Sequence, residues 1–376
     1  MQPELVSEQL LANVGDNGRI SFNGNDLCMR DVAFTAYYLI KKGDLHKAAA
    51  IIKNAAAIIR TGTVHYDEAV FFLWMLGEYL NATGEIEDSP DFSRLIDFDI
   101  DYLSGEWMKP QKNWLGNLDE AIYLNNIAIA YGAVQSINNK LQSENARKLL
   151  IRMREFMFQK FLDQGRVVSR LGDKEILGDI SLIAVPFGLL DAGNQILVES
   201  INVLEKELVE QGVRLSRRDL FFGGCIRSDL TCLLSWYYSE RGNIARAKSL
   251  LEEVEKIWNR DGKLYIVDRA SAREPLYFDY DTEKSKGNME ESYLGYVLYA
   301  IAQLNIRSKE AMTIDSSESI KIIHMPKGTE NPYLRETAAR YPHHPEKDDI
   351  VVLKMITQPL ILSQEAYVEY SLNGNS

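Results

Sequence analysis

The spacing of apolar residues along this chain predicts a mostly helical protein. Apolar positions recur three and four residues apart over twelve segments, which is the period that buries one face of an α-helix. The twelve predicted helices span residues 3–13, 29–42, 45–60, 67–83, 92–105, 117–139, 144–163, 179–191, 194–211, 225–241, 243–258 and 288–304. Trp74, Trp236 and Trp258 fall inside these periods and are predicted to be core residues.

Tight glycine turns join several of the helices into hairpins. Gly43-Asp44 and Gly242-Asn243 each place a glycine where a helix C-cap needs positive φ, followed by an Asp or Asn that can cap the next helix. Twelve helices paired in this way can stack as an open superhelical array or close into a ring of six inner and six outer helices. Strand-like pieces at 165–170 and 262–267, with long irregular loops between helix pairs, favour closure. The predicted fold is an all-α (α/α)6 toroid over residues 1–310.

The sequence changes character beyond about residue 310. Prolines become frequent, and residues 320–324, 350–356 and 366–372 have the composition of β-strands. We therefore predict a β-rich C-terminal segment over residues 311–376, with the form of an incomplete β-sandwich.

The composition of the chain limits the kinds of partner and ligand that the protein is expected to bind. The formal charge of −12 argues against a nucleic-acid surface, which concentrates Lys and Arg. Three cysteines are too few for a disulfide framework, and neither a membrane span nor a signal peptide is visible, so a cytoplasmic protein without a membrane partner is expected. The five histidines form no ligand set, and no metal is predicted. A homo-oligomer is compatible with the sequence.

Several short motifs occur in an order that is found in one enzyme family. They are Arg30-Asp31-Val32-Ala33-Phe34 before a helix, the run 113–123 with Trp114, Gly178-Asp179-Ile180-Ser181-Leu182 with the helix after it, Phe221-Phe222-Gly223-Gly224, and Gly287-Asn288. Over roughly residues 25–305 their order and spacing resemble those of glycoside hydrolase family 15, the glucoamylase and glucodextranase family. The resemblance implies an (α/α)6 barrel that removes glucose from the non-reducing ends of α-glucosides by inversion, without a cofactor.

The chemistry implied by this resemblance requires two carboxyl groups. One carboxylic acid protonates the leaving oxygen, and a second carboxylate about 6.5–9.5 Å away activates a water molecule. The family's acid is the Glu of a Trp-Glu pair; here Trp114 takes the Trp and Leu115 takes the position of the acid. Asp119 and Glu120 follow closely and are the candidates for a displaced acid. Alternatively, both only complement the dipole at the start of the helix predicted from residue 117.

The base has two candidates under the same resemblance. The spacing of the fungal enzymes points to Glu274, whereas the bacterial pattern, with a two-residue deletion, points to Asp279. Either residue is otherwise an ordinary solvated loop carboxylate. Glu290 and Glu291 are interpreted as dipole partners at the start of the last predicted helix.

Four further residues are candidates for sugar contacts. In the family the Arg-Asp pair holds hydroxyls of the terminal sugar, which implies this role for Arg30 and Asp31; the alternative is an ion pair at a helix start. Trp114 is the candidate aromatic platform. Arg227, close to where the family has a Trp after the Gly-Gly turn, is a further substrate-binding candidate. Cys28 replaces another family Trp, so a changed or lost glucose subsite is expected.

Two functions from different classes follow. The first is a divergent exo-acting glycoside hydrolase on α-glucosides. The second, favoured by Leu115, is a catalytically silent sugar-binding or structural module of a larger carbohydrate-active protein. A helical protein-binding scaffold is a third alternative. The first two share an oligosaccharide or α-glucoside ligand and differ in whether two carboxylates face each other across an open pocket.

Overall fold

A computed structural model describes most of the helical part of the chain. The described residues are 3–61, 65–84, 91–116, 118–217, 224–268, 271, 291–315, 321–323, 340–341, 352–353 and 356–358. The chain divides into two compact units, residues 1–306 and 307–376.

Within the described residues there are eleven α-helices, which correspond to eleven of the twelve predicted segments. They are α1 (Pro3–Ala12), α2 (Met29–Lys42), α3 (Leu45–Thr61), α4 (Tyr66–Thr83), α5 (Asp91–Glu106), α6 (Leu124–Leu141), α7 (Glu144–Lys160), α8 (Gln195–Leu208), α9 (Ser228–Glu240), α10 (Ile244–Asp261) and α11 (Tyr293–Asp315).

The glycine turns form the predicted hairpins. Gly43 ends α2 at φ 87°, and Asp44 then accepts a hydrogen bond from the backbone N–H of Lys47 at 3.3 Å. Gly242 has φ 76°, and Asn243 caps α10 by accepting from the N–H of Arg246 at 3.2 Å. Positive φ without a Cβ penalty and a polar N-cap explain why each chain reversal occurs at this dipeptide.

The helices form an inner and an outer layer. Helices α4 and α6 bury nearly every side chain over their first three turns, as expected for helices surrounded by others. Helices α7 and α8 bury a single stripe, such as Leu149, Met153 and Met157 of α7. The inner layer runs in the order α2, α4, α6, the segment around residues 180–183, α9 and α11, with α3, α5, α7, α8 and α10 outside.

Side-chain hydrogen bonds join α11, the last inner helix, to α9 before it and to α2, the first inner helix, and so close the ring. Asn305 of α11 donates to the Ser239 hydroxyl of α9 at 2.7 Å. At the other end of α11, the hydroxyls of Tyr293 and Thr35 of α2 are 3.2 Å apart. An open superhelical array would not bring the last helix against the first, so the closed toroid is confirmed.

Aromatic side chains fill the centre of the ring. The Trp74 ring stacks on Tyr37 and meets Phe34 and Phe187, with centroids 4.9 Å apart in each pair. Trp74 and Trp236 are 1% and 3% exposed. The prediction that both tryptophans belong to the core is confirmed, and so is that for Trp258 at 6%.

Two predicted helices differ from the structure. The segment predicted at 179–191 contains only a 3₁₀ turn, Ile180–Ile183. Pro186 has no N–H for a helix, and Gly188 adopts φ 63°, so the helical period does not continue. The helix predicted from residue 117 begins at Leu124 instead, because Gln111 and Ala121 exchange two backbone hydrogen bonds of 2.9 Å that hold the preceding chain as a loop.

Short strands surround the end of the ring where the inner helices begin. β1 (Ser21–Phe22) pairs with β2 (Asn25–Asp26) before α2, and β3 (Leu162–Asp163) pairs with β4 (Arg166–Val167) after α7. β5 (Val213–Arg214), β6 (Ile226–Arg227) and β7 (Val267–Asp268) form an antiparallel sheet in that order. Of these strands, β1, β2 and β6 contribute residues to the pocket described below.

The second unit contains two strand pairs among its described residues. β8 (Lys321–Ile323) pairs antiparallel with β11 (Ile356–Gln358), and β9 (Arg340–Tyr341) pairs with β10 (Val352–Leu353). The strand predicted at 366–372 lies outside the described residues. Of the helices that are described in either unit, none is long and apolar enough to span a bilayer.

One buried carboxyl group makes the stability of the fold sensitive to pH. Asp99 of α5 is 0% exposed, and neither of its oxygens has a hydrogen-bond partner among the described residues. Burial raises the pKa of Asp99 from 3.8 to about 7. The native state therefore holds this proton through a pH range in which the unfolded chain has released it, and stability falls as pH rises through that range.

Asp99→Asn is expected to raise the free energy of unfolding at pH 8 by roughly 2–4 kcal/mol, because an amide needs no proton to stay neutral. At pH 4 the variant and the wild type should be similarly stable. Urea unfolding at both pH values checks this. The matched control is Asp101→Asn, an exposed carboxylate on the same helix. An unchanged pH profile in Asp99→Asn would contradict the prediction.

Candidate functional site

A pocket of about 970 Å³ opens at the end of the ring where the inner helices begin. Its walls come from β1–β2, the start of α2, the 112–120 loop, the β6–α9 junction and the start of α11. Among the residues that the structure describes, nine charged ones line it: Arg30, Asp31, Lys112, Asp119, Glu120, Arg227, Asp229, Lys263 and Glu291. Five predicted site residues, which are far apart in sequence, are therefore brought to one pocket: Arg30, Asp31, Asp119, Glu120 and Arg227.

Arg30 and Asp31 form a charged pair at the first turn of α2. The Arg30 Nε donates to Asp31 Oδ1 at 2.8 Å, and the Asp31 side chain is 11% exposed. Burial by itself would lower the pKa of Arg30, but the charge of Asp31, the hydrogen bond to it and the smaller contributions of Cys28 and Asp229 together outweigh burial, and the pKa of this guanidinium is raised. A largely buried, charged pair that borders a cavity can exchange hydrogen bonds with vicinal hydroxyl groups.

A second Arg–Asp pair lies on an adjacent wall. Arg227 donates from Nε and Nη2 to the two oxygens of Asp229 at 3.0 and 2.6 Å, and both side chains are less than 5% exposed. The Asp229 charge also contributes to the raised pKa of Arg30. Asp229 is not among the site residues predicted from the sequence, although its position two residues after Arg227, at the start of a helix, could have indicated it.

Trp114 lies behind the pocket wall. Its side chain is 2% exposed, its indole N–H donates to Asp179 Oδ2 at 2.7 Å, and its carbonyl accepts from Arg30 Nη1 at 3.2 Å. The indole is therefore not open to a sugar in this pocket, which corrects the expectation of an aromatic platform at Trp114. The half-exposed Phe22, whose ring centroid is 5.2 Å from that of Tyr293, lines the pocket in its place.

Asp179 explains part of the Gly-Asp-x-Ser-Leu motif. It is 0% exposed, and burial raises its pKa, although hydrogen bonds from Trp114 and Asn125 oppose this shift. Gly178 precedes it because the chain of β5 passes too close for a side chain: a Cβ there would lie 2.1 Å from the carbonyl oxygen of Arg214. The motif thus connects the 3₁₀ segment to the Trp114 loop.

Asp119 and Glu120 are loop residues and not part of a helix. Both are exposed and line the pocket, and α6 begins four residues after Glu120. The Tyr123 hydroxyl donates to the backbone carbonyl of Asp119 at 2.7 Å and holds the loop in place. The alternative reading as helix-dipole partners is therefore wrong. Leu115 also lines the pocket, so the position of the family's acid faces the cavity with a leucine.

Four acidic residues before α11 were singled out in the sequence, Glu274, Asp279, Glu290 and Glu291, and of these the structure describes Glu291. Glu274 and Asp279 lie outside the described residues. Glu291 lines the pocket wall before α11, a place that its interpretation as a dipole partner did not predict. The sequence did not indicate this place, because a Glu just before a helix commonly complements the helix dipole. No cluster of three or more His, Cys, Asp or Glu side chains in the described part of the chain could hold a metal ion.

Comparison with curated proteins finds a partial sequence relative. The isomaltose glucohydrolase of Kribbella flavida is 24% identical over 199 residues, which are 51% of this chain and 52% of that protein. The chain thus spans about half the length of this curated relative. Residues 323–376 match a family model described as Lmo2446-like, N-terminal.

Comparison with solved structures finds the same helical fold. A wild-type glycosidase has a TM-score of 0.67 at 18% identity, over 81% of this chain and 96% of that one. A bacterial glucoamylase complexed with acarbose gives 0.61 at 13% identity, over 82% and 55%. The Saccharomycopsis fibuligera glucoamylase gives 0.53 at 13% identity, over 84% and 86%. The (α/α)6 toroid and the resemblance to glycoside hydrolase family 15, as a divergent relative, are confirmed.

Proposed function

We propose that the chain is a glycoside hydrolase that acts on the non-reducing ends of α-glucosides. The observation that carries this proposal is the convergence of two buried Arg–Asp pairs with the Asp119 and Glu120 carboxylates on one pocket, in a fold shared with glucoamylases. The sequence relation to an isomaltose glucohydrolase supports glucosides as the substrate class.

In the proposed binding mode, the two Arg–Asp pairs form the sugar-binding floor. In each pair the carboxylate neutralises its own guanidinium and both side chains are held in place, so the pairs can bind hydroxyls of the terminal glucose without ordering new side chains. Phe22 offers an apolar surface to the sugar face. A pocket of this size accommodates a small oligosaccharide end. The proposed ligand is therefore an α-glucoside or oligosaccharide; no cofactor takes part.

The proposed reaction is hydrolysis with inversion. The carboxylic acid of Asp119 or Glu120 gives its proton to the glycosidic oxygen as the C1–O bond breaks, and the bonding electron pair stays with that oxygen. A water molecule attacks C1 from the opposite face and loses a proton to a second carboxylate. The family's spacing offers Glu274 or Asp279 for this base. Water returns both groups to their starting protonation states after the product leaves.

A product assay tests this function. The full chain is incubated with isomaltose, maltose, kojibiose and trehalose, and anomeric protons are followed by NMR before mutarotation. With isomaltose, maltose or kojibiose, we expect an initial excess of β-glucose over the anomeric equilibrium, because the reducing-end glucose is released as its own anomeric mixture and only the other glucose reports the stereochemistry. With these three substrates an initial excess of α-glucose would contradict inversion, and absence of turnover with every substrate would contradict hydrolysis.

One observation favours the alternative of a catalytically silent sugar-binding module, namely that Leu115 faces the pocket at the position of the family's acid. This alternative predicts saturable binding of isomaltose without turnover. It also predicts that Leu115→Glu, which restores a carboxyl group there, creates measurable hydrolysis. In an active hydrolase with a displaced acid, the same substitution adds a second acid near the first and should not increase the rate.

A further inference from the structure

Glu291 is held on the pocket wall by three donors. The Tyr296 hydroxyl donates to Oε1 at 2.8 Å, and Lys263 Nζ and Asn23 Nδ2 reach Oε2 at 3.2 and 3.3 Å. The Glu291 side chain is 15% exposed, and the residue lines the pocket. A carboxylate has about four acceptor positions, so Oε1 keeps one for a further donor such as water.

The helix that follows does not need this carboxylate. Ser292 precedes the first residue of α11, and its hydroxyl accepts from the backbone N–H of Gly295 at 2.9 Å, which is the usual N-cap bond. Glu291 instead forms an isolated β-bridge with Tyr265, which fixes its backbone at the rim of the pocket. The position of the Glu291 side chain is therefore set by contacts at the rim of the pocket and not by capping of α11.

The ring places Glu291 across the pocket from the candidate acids. The inner layer has six positions, in the order α2, α4, α6, the 3₁₀ segment, α9 and α11. The third and sixth positions of a six-membered ring are opposite each other. Asp119 and Glu120 directly precede α6, and Glu291 directly precedes α11. Carboxylates on opposite walls are what an inverting displacement requires.

We infer that Glu291 is the catalytic base that activates the attacking water, and this inference rests on the proposed function. Glu291 accepts a proton from the water as the water oxygen bonds to C1. The glycosidic C1–O bond breaks on the opposite side, and the leaving oxygen takes its proton from Asp119 or Glu120. The rim contacts from Tyr296 and Asn23 hold the carboxylate at a fixed place for this step.

The test uses α-glucosyl fluoride and sodium azide with the full chain. Fluoride leaves without protonation, so this substrate requires the base but not the acid. Glu291→Ala and Glu291→Gln are expected to lower kcat by about 10²- to 10⁴-fold with both α-glucosyl fluoride and isomaltose. Azide needs no base to attack C1; it should restore consumption of the fluoride by the Ala variant and yield β-glucosyl azide.

Tyr296→Phe is the matched control. It removes one anchor of the Glu291 carboxylate and keeps the carboxylate itself, so it should cause a smaller loss that azide does not relieve. Glu274→Ala and Asp279→Ala are assayed in parallel, and thermal unfolding is followed for all variants. Glu291→Gln keeps a side chain of the same shape if the Ala variant folds poorly.

The outcomes separate this inference from the proposed function. Full activity in Glu291→Gln, or azide rescue of Glu274→Ala or Asp279→Ala instead, would overturn Glu291 as the base and leave the hydrolase proposal standing. Equal losses in Glu291→Ala and Tyr296→Phe, with no azide rescue of the Ala variant, would show that Glu291 is only a structural brace and would overturn it as the base. Absence of turnover by the wild type with either substrate would overturn the proposed function and the base together.

Discussion

Asp119→Asn and Glu120→Gln are expected to differ sharply from each other in hydrolysis of isomaltose. The variant that removes the acid should lose about 10²- to 10⁴-fold in kcat/KM, because the leaving glucose oxygen then departs without a proton. The same variant should keep most of its activity on α-glucosyl fluoride, since fluoride is a good leaving group. Initial rates on both substrates measure this separation.

The Asp119→Asn and Glu120→Gln variants serve as controls for each other. The two residues are adjacent, exposed and on the same loop, so general damage to the 112–120 loop would affect both variants and both substrates. Retention of isomaltose hydrolysis in both single variants and in the double variant would exclude this loop as the source of the acid. Equal losses on the two substrates would indicate misplacement of the loop and not loss of a proton donor.

Asp31→Asn is expected to lower kcat/KM for isomaltose, or its affinity if the chain only binds, by about 10- to 100-fold. The change removes charge from a hydrogen-bonding group that is 11% exposed, and bonds to charged groups contribute more than neutral ones. Arg30 would keep the nearby Asp229 as its counter-charge. Steady-state kinetics and calorimetric titration with isomaltose measure the loss.

The matched control is Asp26→Asn. Asp26 accepts from Arg19 in a bidentate pair at 2.9 and 2.7 Å, but these side chains are more than 60% exposed. Arg19 and Asp26 thus form a charged Arg–Asp contact that does not line the pocket and is screened by solvent. Asp26→Asn should leave kcat/KM and the unfolding temperature unchanged. Equal effects in the two variants would contradict a sugar-binding role for Asp31.

Most helices and their hairpin order were predictable from local signals. The 3.6-residue period and the Gly-Asp and Gly-Asn turns act within one or two helical turns, so they are present in the sequence whatever the tertiary contacts. The same local rules gave wrong results at two places. Pro186 and Gly188 interrupted a helical period, and the paired backbone of Gln111 and Ala121 displaced the start of α6.

The candidate site was predictable only in part. The Arg30-Asp31 motif was visible because both residues belong to one short stretch. Trp114 is buried against residues far from it in the chain, among them Phe34 and Asp179, which is 65 residues away. Exposure of an aromatic ring depends on every neighbour that packs on it, and a sequence period does not contain that information.

The sequence by itself determined the helices and their hairpin turns, because propensity, capping and hydrophobic period are local properties. Closure of the ring was predicted from the strand-like pieces and long loops, and it is confirmed by contacts between helices far apart in the chain. Only the tertiary structure decided that Asp119 and Glu120 line the pocket from a loop, that Asp229 joins Arg227 there, and that Glu291 lies across the ring from them. Ring closure brings together the starts of inner helices that are far apart in the chain. The long-range contacts that set those relative positions leave no periodic signal in the sequence.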